Sequence, residues 1–163
     1  GEPSRLAVLR GRRRWFSFET GEWLKPGRVR AVADLGATPL FVRDGSIVPA
    51  FPDEEERSLA RVEFHVFADR VDARTVYRFD DGETYGYRRG ERSAVEVLAK
   101  RRKERLEVEI LSLAEGSGPL DYSVVIHGEP GAVVLNGQKV GLQRTTVDWA
   151  GCRVRANRLR LSR

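Results

Sequence analysis

Apolar and polar side chains alternate at every second position through most of this chain, and few windows of ten or more residues carry the i, i+3, i+4 apolar stripe of a helix. The alternation predicts strands at Arg5–Leu9, Arg14–Phe18, Arg28–Ala33, Pro39–Val42, Leu59–Phe67, Thr75–Phe79, Ala94–Ala99, Leu106–Leu113, Tyr122–His127, Ala132–Leu135, Thr145–Trp149, Arg153–Arg155 and Leu159–Leu161. Turn residues punctuate these runs, among them Pro26-Gly27, Asp44-Gly45, Asp81-Gly82, Pro130-Gly131 and Asn136-Gly137. Many short strands between glycine turns imply an all-β fold of one or two antiparallel β-sandwiches.

The most helix-like window, KRRKERLEVEILSLAE, resolves on the same criterion. From Arg105 onward Leu106, Val108 and Ile110 alternate with Glu107 and Glu109, which puts aliphatics on one pleat face and carboxylates on the other. Residues 100–105 then form a charged hairpin tip, and 106–113 a strand. The stretch AFPDEEERS, at 50–58, has four consecutive acids and two prolines nearby and is the best linker candidate. A boundary near Asp53 divides the chain into 1–52, rich in aromatics, and 53–163, a series of hairpins.

At 163 residues the chain is long enough to bury a core but too short for a large α/β barrel. Lys and Arg number 29 against 24 acids, a net charge of +5, and only Lys25, Lys100, Lys103 and Lys139 of the cations are lysine. A positive balance raises nucleic acid as a partner, through Arg12, Arg13, Arg14 and the run Lys100 to Arg105. The signs alternate along most of the chain, however, as they do on solvated strand faces, and nucleic acid is not expected. Cys152 is the only cysteine, which excludes an internal disulfide and a cysteine metal cage. His65 and His127 lie far apart, each inside an apolar alternating run, and read as structural strand histidines rather than ligands. No apolar stretch reaches the roughly 18 residues of a membrane span, so no membrane partner is expected. No signal peptide opens the chain, which gives a cytoplasmic expectation. With Gly1 first and methionine absent, the chain is expected to be a piece of something longer.

Catalytic wiring is sparse. The sequence has no Gly-x-Ser-x-Gly elbow, phosphate-cradling loop, His-Glu-x-x-His or Cys-x-x-Cys. Asp80 and Asp81 could form a carboxylate pair or contribute to a calcium site, but Asp-Gly is a common hairpin turn and the spacing of a calcium loop is missing. The hairpin reading is favoured, with Tyr77, Phe79, Tyr85 and Tyr87 as aromatic neighbours across it. No cofactor or metal is expected. Trp15, Phe16, Phe18 and Trp23 form a second aromatic concentration. Burial in a core is the favoured reading, and an exposed platform that stacks on sugar rings is the alternative.

Three ordered stretches carry a family resemblance. RWFSFETGEW at 14–23, TPLFVRDGSIVP at 38–49 and YRFDDGETYGYRRGE at 77–91 resemble the ordered signature of glycoside hydrolase family 31, the α-glucosidase and α-xylosidase family. DYSVVIHGEPGAVVLNGQKV is similar to that family's last hairpins. The resemblance runs from about Arg5 to Val140 and implies the proximal and distal C-terminal β-sandwich region, with 1–52 an incomplete proximal portion and 53–163 the distal sandwich. It also implies a parent that is a retaining glycosidase with two aspartates on a (β/α)8 barrel. Those aspartates lie upstream of the matching motifs, so no catalytic residue is assigned in this chain. The implied role is to pack on and stabilise a barrel in the same or a companion chain, with an autonomous carbohydrate-binding module as the alternative. Ser17, Glu19 and Asp44 depart from the family pattern, Asp44 standing where a small residue is usual.

Overall fold

The computed structural model describes residues 4–32, 38–51, 61–80, 84–114, 121–149 and 152–160. The strands are β1 (Ser4–Leu9), β2 (Trp15–Ser17), β3 (Trp23–Leu24), β4 (Gly27–Val32), β5 (Phe41–Arg43), β6 (Ser46–Ala50), β7 (Arg61–Phe67), β8 (Ala73–Phe79), β9 (Ser93–Arg102), β10 (Arg105–Ala114), β11 (Asp121–Ile126), β12 (Ala132–Leu135), β13 (Gln138–Val140), β14 (Gln143–Trp149) and β15 (Cys152–Arg160). A single 3-10 turn, Gly86–Arg89, is the only helical element among the described residues. The all-β class holds. No helix among these residues is long and apolar enough to cross a membrane.

Two five-stranded sheets, ordered β13-β12-β10-β9-β8 and β14-β15-β11-β7-β6, make the main body. Between them lies a core of Val62, Phe64, Val66, Val124, Ile126 and Leu159 from one sheet against Val97, Ala99, Leu106, Val108 and Val133 from the other. Each fully buried Val, Leu, Ile or Phe among them contributes about 1.5–3 kcal/mol. The pairing is antiparallel except at two places, where β7 pairs with β11 and β10 pairs with β12 in parallel. The cause is the crossing pattern. Strand β11 lies between β10 and β12 in sequence but belongs to the other sheet, so the chain re-enters the first sheet running the way it left.

The β6–β7 sheet is covered on its second face as well. Phe16 and Phe18 pack there on Phe67, Val125, Val147, Cys152, Val154 and Ala156. Strands β3, β2 and β5 form the three-stranded sheet that delivers these phenylalanines. Burial on both faces explains why β7 reads RVEFHVF, with both its odd and its even positions inside. The linker candidate is largely outside the described residues, but the chain on its two sides is joined: Ser46–Ala50 pairs along its length with Arg61–Phe67, and the second core draws on both segments.

Several expected boundaries shift. Strands β3, β6 and β13 were not anticipated, and Arg153–Arg155 and Leu159–Leu161 belong to one long strand, Cys152–Arg160. At the charged hairpin, pairing continues to Arg102 opposite Arg105, so only Lys103 and Glu104 form the tip. The tight turn expected at Asp81-Gly82 lies outside the described residues. Its flanks, however, pair only from Phe79 opposite Ser93, which places Tyr85 and Tyr87 in the connection, around the 3-10 turn. Tyr77 and Phe79 face Val95 and Ser93 across the ladder rather than the two later tyrosines.

Asp44 ties the small sheet to the large one. It follows β5, which pairs with β2, and precedes β6, which pairs with β7. Its buried carboxylate accepts the backbone N–H of Asp69 at 2.9 Å and of Arg70 at 3.1 Å, capping the β7–β8 turn. Burial pushes this carboxyl upward while the backbone donors pull it back. The acid at this position gives the two turn amides an acceptor. We expect Asp44→Ala to cost about 1–3 kcal/mol, the penalty for stranding buried donors, measured as a lower urea midpoint.

Candidate functional site

The two histidines that the sequence separates by 62 positions meet in the fold. His65 Nδ1 lies 3.0 Å from His127 Nε2, with both rings buried. The parallel register of β7 and β11 causes this, setting Val125 beside His65 so that His127 arrives one step beyond the end of the ladder. Glu63, two residues before His65 on the same face, completes a chain of polar groups. Its carboxylate accepts Ser123 Oγ–H at 3.0 Å, pairs with Arg158 at 3.0 Å and lies 3.6 Å from His65 Nε2. Burial alone would raise the Glu63 carboxyl, but His65, Arg158 and Ser123 together hold it below the ordinary glutamate value.

Hydrogen-bond logic assigns the protons. With His65 Nε2–H toward Glu63, its Nδ1 lone pair accepts Nε2–H of His127, which leaves His127 Nδ1 a bare lone pair with no partner. That choice strands an acceptor rather than an N–H among aromatic rings, the cheaper of the two defects. His127 stacks on Phe67 at 4.3 Å between ring centroids and touches Phe16 and Phe18 at 5.2 Å each. Burial, reinforced by the neighbouring His65, lowers its pKa to about 2. A carboxylate–imidazole–imidazole chain can relay a proton in principle, but here every member is buried and the free nitrogen faces hydrocarbon. The network lies within one sheet, on the face that Phe16 and Phe18 cover, and its members serve as one another's partners there.

The remaining candidates are dispersed. Among the described residues, Asp44 and Glu63 are the only buried carboxylates, and both are engaged by the fold. No group of three or more His, Cys, Asp or Glu among these residues could hold a metal ion. Cys152 is buried, with its thiol donating to the Thr38 carbonyl at 3.2 Å. Trp15 is half-buried and donates Nε1–H to the Arg10 carbonyl at 3.2 Å. Trp23 is half-buried as well, edge-on to Phe16 at 5.3 Å and beneath the Arg14 guanidinium. Neither tryptophan forms an open platform.

The basic clusters are largely spent on partners. Arg14 binds Asp69 and the Trp23 carbonyl, Lys100 pairs with Glu109 at 3.1 Å, and Arg102 and Arg105 both reach Glu107. Arg101 donates to the Pro130 and Glu129 carbonyls. A cleft of about 440 Å³ opens beside β14 and β15, lined in part by Thr20, Arg144, Arg155 and Asn157, and its Arg144 stands 3.6 Å from Glu129.

No protein-family model matches the sequence, and no curated protein matches it. Solved structures do. A Flavobacterium johnsoniae GH31 dextranase complexed with glucose superposes with a TM-score of 0.70 at 20% identity, covering 98% of this chain and 23% of that one. A GH31 α-xylosidase from Xanthomonas citri gives a TM-score of 0.62 at 26% identity, covering 95% of this chain. The chain has the fold of the C-terminal region of family 31 glycoside hydrolases. The α-1,4-glucan lyase of Gracilariopsis lemaneiformis shares it too, with a TM-score of 0.62 at 17% identity over 93% of this chain. This chain spans 23%, 17% and 16% of the length of those three enzymes, so the family 31 fold seen here is one part of them and contains no barrel.

Proposed function

We propose that the chain is the non-catalytic C-terminal β-sandwich region of a family 31 α-glycosidase, packing on and stabilising a catalytic barrel. Residues 1–52 are then the incomplete proximal portion and 53–163 the distal sandwich, with β6 reaching across to the latter. The parent hydrolyses O-glycosyl bonds of α-glucosides or related sugars with retention. The observation that carries this reading is coverage: nearly the whole chain superposes on GH31 enzymes while accounting for about a fifth of each. Two further features support it. The buried carboxylates and histidines serve packing, and the β1–β4 ribbon presents Leu6 and Val8, 67% and 55% exposed, as apolar surface for a neighbour.

The expected result is that the chain alone does not hydrolyse p-nitrophenyl α-glucoside above the rate without protein. Turnover that is abolished by mutating a carboxylate of this chain would overturn the reading.

A further inference from the structure

The connection between β8 and β9 displays two tyrosines in a way that packing does not require. Tyr85 is 69% exposed and Tyr87 43% exposed, and they flank Gly86, which is buried. The turn beneath them is tightly tied: Arg88 N–H donates to the Tyr85 carbonyl at 3.0 Å, Glu91 N–H to Gly86 at 3.1 Å, and Gly90, at φ 84°, closes the 3-10 turn in the left-handed region. The Arg89 guanidinium grips Glu91 with two hydrogen bonds, at 2.9 and 3.1 Å. A Cβ at Gly86 would lie 2.4 Å from a Glu91 carboxylate oxygen, the end of an exposed side chain that can move aside. The rings sit 6.3 Å apart, and the Arg88 guanidinium lies over both, at 4.7 Å from Tyr85 and 5.9 Å from Tyr87.

We infer that Tyr85, Tyr87 and Arg88 form a surface site for a neutral gluco-oligosaccharide. A pyranose has an apolar face of C–H bonds and a rim of hydroxyls, and the turn offers the complement of each. The parts of the tyrosine rings that Arg88 does not cover supply apolar surface. Arg88 and the phenol hydroxyls supply hydrogen-bond donors and acceptors around them. The two rings and the guanidinium over them present a small amphipathic patch rather than a broad apolar face. They match one or two sugar units. The choice of a gluco-oligosaccharide rests on the proposed function, since dextranase structures of this fold are complexed with glucose and with isomaltotriose. The site would hold substrate chains near the barrel without taking part in bond cleavage.

The test is isothermal titration of the whole chain with isomaltotriose, and with maltotriose as a second probe. We expect saturable binding with a Kd of about 1 mM, weakened about tenfold in Tyr85→Ala and in Tyr87→Ala, as loss of one stacked ring implies. Tyr85→Trp should retain binding, and Trp15→Phe should leave it unchanged. Because both tyrosines are exposed, the thermal midpoints of their variants should stay near that of the parent chain, which separates lost binding from lost folding. Absence of binding to either sugar, or binding that survives both alanine substitutions, overturns the inference. So does loss of association with a catalytic barrel in Tyr85→Ala while sugar affinity is kept, which would make the turn a domain contact. The assay reads no hydrolysis, so failure of the accessory reading through turnover by this chain remains distinguishable from failure here.

Discussion

Phe16→Ala should destabilise the chain by about 3–5 kcal/mol, the range for truncating a fully buried phenylalanine to alanine. Phe16 has no exposed surface and lies within 5.2 to 5.6 Å, centroid to centroid, of Phe18, Trp23, Phe67 and His127. It comes from the three-stranded sheet, whereas Phe67 and His127 come from the five-stranded one. The cavity would therefore open at the seam between them, where neither partner can follow the other inward. Domains of this size are stable by about 5–15 kcal/mol, so the loss is a large fraction of the total. Urea unfolding followed by tryptophan fluorescence reads it, and Trp23 should become more exposed before the main transition. A cost below about 1 kcal/mol would mean that the small sheet does not depend on this contact.

Acid should weaken the fold in a window set by His127. Its folded pKa of about 2 lies below the 6.5 of an unfolded histidine. Between these values the unfolded chain binds a proton that the folded chain refuses, so stability rises with pH and is lost as pH falls below about 6.5. Going from pH 7 to pH 5 should cost about 2 kcal/mol from this imidazole alone, at up to about 1.4 kcal/mol per pH unit. Glu63, lowered in the fold, adds to the loss once pH drops into the carboxylate range. Asp44, raised by burial, works in the opposite sense. His127→Gln isolates the imidazole because glutamine still donates to His65 Nδ1 but cannot titrate. Urea midpoints at pH 7, 6 and 5 should fall more steeply for the parent chain than for the variant, and equal slopes would remove His127 as the cause.

Much of the architecture was legible because a strand's side-chain period is local. Alternation at Leu106, Val108 and Ile110 was enough to turn a helix-like charged window into β10. The ordered stretches around RWFSFETGEW and TPLFVRDGSIVP pointed to the family whose fold the structure then displayed. Short strands such as Trp23–Leu24 and Gln138–Val140 escaped, since two or three residues hold no period to read. The tyrosine display escaped for a related reason: a turn signal marks that the chain reverses, not how many residues the reversal takes.

The sequence by itself determined the all-β class, the turn-bounded strands and the family likeness, because each depends on neighbours within a dozen positions. Only the tertiary structure decided that His65 and His127 share a hydrogen bond, that β7 is buried on both faces, and that Phe16 belongs to a seam between sheets. These facts follow from which strands lie side by side. Strand neighbours are chosen by the packing of the whole, through contacts between residues far apart in the chain, and a local pattern of polar and apolar positions is the same whichever neighbours are chosen.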